Sequence, residues 1–171
     1  TERRMIEDSL RKLSLATEAS PSSVVITDPD GNIIYVNRKF TEVTGYSYDE
    51  AIGKNPRILK SEKTTLETYQ QLWQTITSGN TWKGELLNKR KSGEFIWEFV
   101  SISPITDEHG NITSYIGLKE DITERKRAEQ ALAAEERRLS YILEGTNVGT
   151  WEWNVQTGEV TFNGRWAEMI G

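Results

Sequence analysis

The chain has 171 residues, 36% hydrophobic and 27% charged, with a net charge of −5 and no cysteine. This length fits one domain of ordinary size plus flanking pieces, and the negative balance argues against a nucleic-acid surface, which needs clustered Lys and Arg. Disulfides, thiolate chemistry and cysteine-ligated zinc are excluded; no apolar run approaches the ~20 residues of a membrane span and no signal peptide opens the chain, so the segment reads as soluble and cytoplasmic.

Residues 1–19 read as an entry helix. Arg3, Ile6, Leu10, Leu13 and Thr17 alternate by three and four, the spacing of a coiled-coil seam. A short apolar strand from Ser23 to Asp28 follows, with Pro29-Asp30-Gly31 as its turn and Asn32 to Val36 as its partner. Beyond Asn37 the pattern breaks into short helical pieces carrying Phe40, Val43 and Tyr46, interrupted by Gly45 and Gly53. Lys63 to Ser78 is the one sizeable helix of the unit, and Leu66, Tyr69, Leu72, Trp73 and Ile76 form a stripe that can lie across a sheet.

Three long strands come next: Trp82 to Arg90, Glu94 to Ile105 and Ile112 to Glu120. Lys-Ser-Gly joins the first two and Asp-Glu-His-Gly-Asn the last two, so neighbours pair as an antiparallel meander. Alternation puts Gly84, Leu86 and Asn88, then Glu98, Val100 and Ile102, then Tyr115, Gly117 and Lys119 on one face. Trp97, Phe99, Ser101 and Ser103 share the other face, where Trp97 and Phe99 call for cover by a helix or a partner chain. The expected fold is α+β, a five-stranded antiparallel sheet with short helices and one longer helix over one face.

An internal repeat marks the boundaries. Thr1-Glu2-Arg3-Arg4 returns as Thr123-Glu124-Arg125-Lys126, Arg11-Lys12-Leu13-Ser14 as Arg137-Arg138-Leu139-Ser140, and Asn37 as Asn163. The chain reads as an excerpt from a tandem array: linker helix 1–19, domain 20–122, signalling helix 123–144 and, over 145–171, the start of a second domain. Arg125, Ala128, Leu132, Glu135, Leu139 and Ile142 repeat the seam, weakly, because Arg125 and Glu135 interrupt it. A single helix packed on its own sheet is an equal reading for the first linker. Trp151, Trp153, Phe162 and Trp166 load the C-terminal piece with apolar surface that needs docking, a partner or disorder to accommodate it.

SVVITDPDGNIIYVNRKFTEVTGYSYDEAIGKN, WKGELLNKRKSGEFIWEFVSISPI and YIGLKEDITERK, in this order and spacing, resemble a bacterial PAS domain with its signalling helix. The resemblance implies a sensory module of a multi-PAS histidine kinase or diguanylate cyclase. A pocket between helices and sheet would act through Asp121-Ile122-Thr123 on the outgoing helix. There Asp121 can pair with Arg125 one turn on, and Thr123 can cap the helix. The helical seams and the apolar outer sheet face predict a homodimer through the flanking helices and that face, with Leu10, Leu13, Trp97, Phe99, Leu132 and Leu139 at the interface. Adjacent PAS and output domains are the further partners, with neither nucleic acid nor membrane touching this segment.

In the light-sensing, flavin-binding branch of that family, the positions matching Asn88, Glu98 and Lys119 carry amides that bond the flavin ring. Two have become charged here, so Glu98 and Lys119 should pair across adjacent strands or hold a ligand. The position of the adduct-forming cysteine is Pro56, which rules out that photochemistry. GKNPRIL, TYQQLW and TWKGELLNKRKSG are similar to the flavin-binding PAS domains of nitrogen-fixation and methane-oxidation regulators. That likeness implies FAD, with Asn88 on the ring, Trp82 lining the pocket, and Asn55 and Arg57 near the ribitol or phosphate. A core filled by its own side chains, in a ligand-free dimerisation relay, is the leading alternative. Haem is disfavoured because the lone histidine, His109, lies in a hairpin turn, and no metal set, Walker loop or catalytic triad appears. The segment is expected to have no catalytic activity of its own.

Overall fold

A computed structural model describes residues 2–146 and 149–170. The chain divides into two units, residues 1–124 and 125–171. The first begins with α1 (Glu2–Glu18) and contains β1 (Ser23–Thr27), β2 (Ile33–Val36), α2 (Arg38–Thr44), α3 (Tyr48–Ala51), a 3₁₀ turn (Pro56–Leu59) and α4 (Leu66–Thr77). It ends with β3 (Trp82–Lys89), β4 (Phe95–Thr106), β5 (Ile112–Asp121) and the first residues of α5 (Thr123–Gly145). The five strands form one antiparallel sheet in the order β2-β1-β5-β4-β3. This is the expected architecture, with strand ends within a residue of those read from sequence.

Helix α4 is shorter than expected. Thr65 caps it, accepting the Thr68 N–H at 3.3 Å, and the residues before it are tied elsewhere, because the Ser61 and Thr64 hydroxyls donate to the Leu87 carbonyl of β3. Local side-chain bonds here compete with another helical turn and win.

Two apolar clusters hold the cover to the sheet. Val25, Ile33, Val36, Phe40, Ala51 and Leu59 join β1 and β2 to the short helices, and Leu72, Ile76 and Tyr115, with Trp82, Ile102 and Ile112 against them, join α4 to the meander. Asn37 is the polar knot of the first cluster. Its Oδ1 accepts the Val24 and Phe40 N–H groups at 2.9 and 3.1 Å, and its Nδ2 donates to the Thr17 and Ser22 carbonyls. The last turn of α1 is thereby fastened to the domain, with Glu18 accepting from the Tyr35 hydroxyl and the Arg38 N–H. Farther up, Leu13 is exposed; the Leu10 side chain lies outside the described residues.

The second unit holds the rest of α5, β6 (Trp151–Trp153), β7 (Val160–Phe162) and α6 (Gly164–Ile170). Its hairpin copies the first one, since Trp151 opposes Phe162 as Val25 opposes Val36. Asn163 accepts the Thr150 and Trp166 N–H groups, as Asn37 accepts those of Val24 and Phe40. The same sequence offset therefore reproduces the same local hydrogen bonds.

Candidate functional site

A cavity of about 750 Å³ lies between the inner sheet face and its cover. Its size falls within the usual range for small-molecule sites, roughly 300–1,000 Å³. Side chains of the protein therefore leave part of the space between sheet and cover unfilled, which departs from the self-filled core that the sequence offers as the alternative. Val25, Leu72, Ile76, Leu86, Val100 and Ile102 supply apolar wall, and Gly117 leaves room where a side chain would stand. Leu66 and Trp73 border this space, and both members of the α4 stripe are exposed.

The inner end of the cavity is polar. Asn88 of β3 and Lys119 of β5 are on its wall, and Glu98 of β4 lies between and behind them with no exposed surface. One carboxylate oxygen of Glu98, Oε2, accepts from Asn88 Nδ2 at 2.5 Å and lies 3.5 Å from Lys119 Nζ. The register explains the contact, because Val100 opposes both Gly84 and Lys119, placing Asn88 and Lys119 diagonally across from Glu98. Burying either charge alone would cost several kcal/mol, and each is the other's compensation. The second oxygen, Oε1, is buried and has no hydrogen-bond partner. A buried acceptor of this kind is rare and points to a ligand or water at the site.

The mouth is built from the 3₁₀ turn and α4. Asn55 Oδ1 accepts the Arg57 N–H at 3.0 Å, capping the turn and leaving the Arg57 side chain exposed at the rim. Lys60 sits beside it, with Nζ 4.7 Å from the Tyr69 ring centre, while burial pushes the Tyr69 phenol up. Trp73 packs edge-on against Tyr115, ring centres 6.3 Å apart. The β1–β2 turn closes in at Gly31, where a Cβ would stand 3.0 Å from Asn55 Nδ2.

Asn55, Arg57, Asn88 and Lys119 thus share one cavity, as expected from sequence. Trp82 does not line it. Its ring folds over Gly84, where a Cβ would come within 2.6 Å, and packs with the α4 cluster. Glu98 backs the wall without forming it. Lys60, Tyr69 and Trp73 also line the cavity; apolar spacing does not mark the two aromatic residues, because it does not distinguish a helix face that meets a sheet from one that covers a void.

The junction also differs from the sequence reading. Asp121 meets Arg90 of the β3–β4 turn, Oδ2 to Nη2 at 3.0 Å, while Arg125 Nε lies 3.8 Å from Glu129 along the helix. Asp121 Oδ1 accepts the Thr123 N–H at 2.9 Å, so the aspartate serves the helix start. The Thr123 hydroxyl accepts the Trp97 N–H of β4 at 3.0 Å, and the Ile122 N–H donates to the Trp97 carbonyl at 2.8 Å. The start of α5 is thus locked to the strand carrying Glu98. Arg90 also donates to the Val43 carbonyl, linking α2 to this junction. Period two extends from Asn88 to Arg90, so the signal for Arg90 was present in the sequence.

Among the described residues, no three His, Asp or Glu side chains come together to hold a metal. No helix among them is long and apolar enough to cross a membrane. Leu132, Leu139 and Phe99 are exposed and Trp97 is half-buried.

A family model for the PAS domain matches residues 21–124. The chain belongs to the PAS family. Its PAS domain is a sensory module of signal transduction. The bacterioopsin transcriptional activator of Halobacterium salinarum is 37% identical over 147 residues, which cover 86% of this chain and 21% of that protein. A blue-light-activated histidine kinase of Brucella anthropi is 31% identical over 170 residues, covering 91% of this chain and 35% of the kinase. The chain therefore spans about a fifth to a third of these relatives. Among solved structures, a light-oxygen-voltage domain from a flavin-analogue study is similar to this chain with a TM-score of 0.62 and 28% identity, covering 74% of this chain and 96% of that one. The light state of the Aureochrome1 light-oxygen-voltage domain gives 0.58 and 31%, covering 74% and 97%.

Proposed function

We propose that this PAS domain binds a flavin nucleotide, FAD, and senses redox state for a longer signalling protein. The observation that carries the reading is the cavity, apolar along its walls, polar at its buried end and cationic at its mouth. A planar heterocycle with hydrogen-bonding groups at one edge and phosphates at the other has that distribution of chemistry. The similarity to a light-oxygen-voltage domain studied with a flavin analogue supports it.

A bound flavin supplies reversible electron transfer. Asn88 and Lys119 would hold the polar edge of the ring, and Arg57 and Lys60 would receive the phosphates. Tyr69 and Trp73 would exclude water from the mouth. With no cysteine in the chain, no thiol adduct to the ring can form. The charge state at the polar end would reach α5 through Glu98, the Trp97 backbone and Thr123. The exposed seam of α5 and outer-face residues Trp97 and Phe99 would serve a homodimer. Catalysis, by a histidine kinase or a nucleotide cyclase, would reside in other segments, and residues 145–171 would begin a second PAS domain.

Incubation of the protein with FAD, followed by gel filtration and visible absorption, tests the reading. Oxidised-flavin bands that co-elute with the chain and bleach on reduction are expected. A colourless protein would leave the ligand-free relay in its place.

A further inference from the structure

Three neutral amides at the inner end of the cavity would contribute hydrogen bonds and no net local charge. Here a carboxylate and an ammonium stand there instead, 3.5 Å apart and almost completely removed from water. They are also unequally placed, since Lys119 is on the cavity wall and Glu98 lies behind it. Because the Glu98 carboxylate only accepts, the Asn88 amide must turn its NH₂ toward it, leaving the Asn88 carbonyl oxygen for the cavity. A ligand at this end therefore meets an acceptor, Asn88 Oδ1, beside a cationic donor, Lys119 Nζ. That pair complements a ring edge with an N–H next to a carbonyl that gains negative charge on reduction.

We propose, resting on the flavin reading above, that Lys119 and Glu98 set the reduction potential of the bound flavin in opposite directions, with Glu98 also positioning the Asn88 amide. Reduction adds two electrons from an external low-potential donor and one proton from solvent, leaving the ring singly negative. The Lys119 charge stabilises that product and raises the potential. The Glu98 charge opposes it and lowers the potential. In a site with little water to screen them, both effects exceed those of the same charges at a surface.

The test is an equilibrium redox titration of FAD-loaded protein with dithionite and an indicator dye, comparing wild type, Glu98→Gln, Lys119→Gln and the double substitution. Glu98→Gln should raise the midpoint potential and Lys119→Gln should lower it, with the double substitution between them. Glu98→Gln, alone or in the double substitution, offers Asn88 a partner able to donate and should change the visible band shape of the oxidised flavin by freeing the amide to flip, whereas Lys119→Gln alone should not. Flavin uptake with potentials unchanged, or shifted in the same direction by both single substitutions, would overturn this proposal and leave the flavin reading standing. If a single variant fails to fold, the double substitution against wild type still reads the band shape, and an unchanged band there overturns the positioning role. A wild-type protein that takes up no flavin removes both readings.

Discussion

Glu98 has no exposed surface, and its two partners come from the strands on either side of it. Removing only its carboxylate leaves the Lys119 ammonium buried beside an apolar wall. Glu98→Ala should therefore cost about 3–5 kcal/mol, the range for breaking a buried pair, read as a lower denaturation midpoint. Glu98→Leu with Lys119→Met removes both charges together and should recover most of the loss. If the double variant is as unstable as Glu98→Ala, the pair does not account for the cost. Sequence alternation was enough to place both residues on one inward face and to require compensation. It could not reveal the orphan Oε1 or that Glu98 stands behind the wall, because period two fixes a face and says nothing of depth.

Two elements turn on contacts with their neighbours. The β3–β4 turn docks on the short helices through Lys91, whose ammonium bonds Glu50, and with the Ser47 N–H it holds the Glu50 carboxyl down to about 2 from its ordinary 4.5. The folded value lies below the unfolded one, so this contribution is complete above about 4.5 and is lost as pH falls through about 2. The amide signals of Ser47 and Lys91 should move in that window, and Glu50→Gln should abolish the movement; persistence in the variant would assign it to another group. At the start of α5, Thr123→Val removes the acceptor for the Trp97 N–H. A hydrogen bond worth about 1 kcal/mol predicts roughly five-fold faster exchange of the Trp97 amide. Unchanged exchange would mean that the hydroxyl does not hold strand to helix. Asp-Ile-Thr was recognisable in the sequence and period two puts Arg90 on the face of Asn88, but the meeting of Arg90 with Asp121 depends on β3, β4 and β5 being neighbours.

For the whole molecule, the hairpin pairings and the inward faces of the three long strands were legible because short turns force neighbouring strands to pair and alternation does the rest, whereas the pairing of β1 with β5 joins strands that no short turn connects. The pocket entered only through the family resemblance, since its apolar walls, such as Val25, Leu72, Ile76 and Val100, read like ordinary core. The seam positions Leu132 and Leu139 are exposed, so the proposed homodimer predicts a dimer mass in light scattering that falls to a monomer with Leu132→Asp and Leu139→Asp together; a dimer mass unchanged by them would move the interface to Trp97 and Phe99 on the outer sheet face. In the proposed relay, the state of the cavity reaches α5 through the Trp97 backbone. Amide hydrogen exchange of the FAD-loaded protein, oxidised against reduced, tests it most directly. A change at Trp97, Ile122 and Thr123 and in the first turns of α5, with β1 and β2 unaltered, is the predicted result. A change confined to residues lining the cavity, with the junction silent, would contradict it.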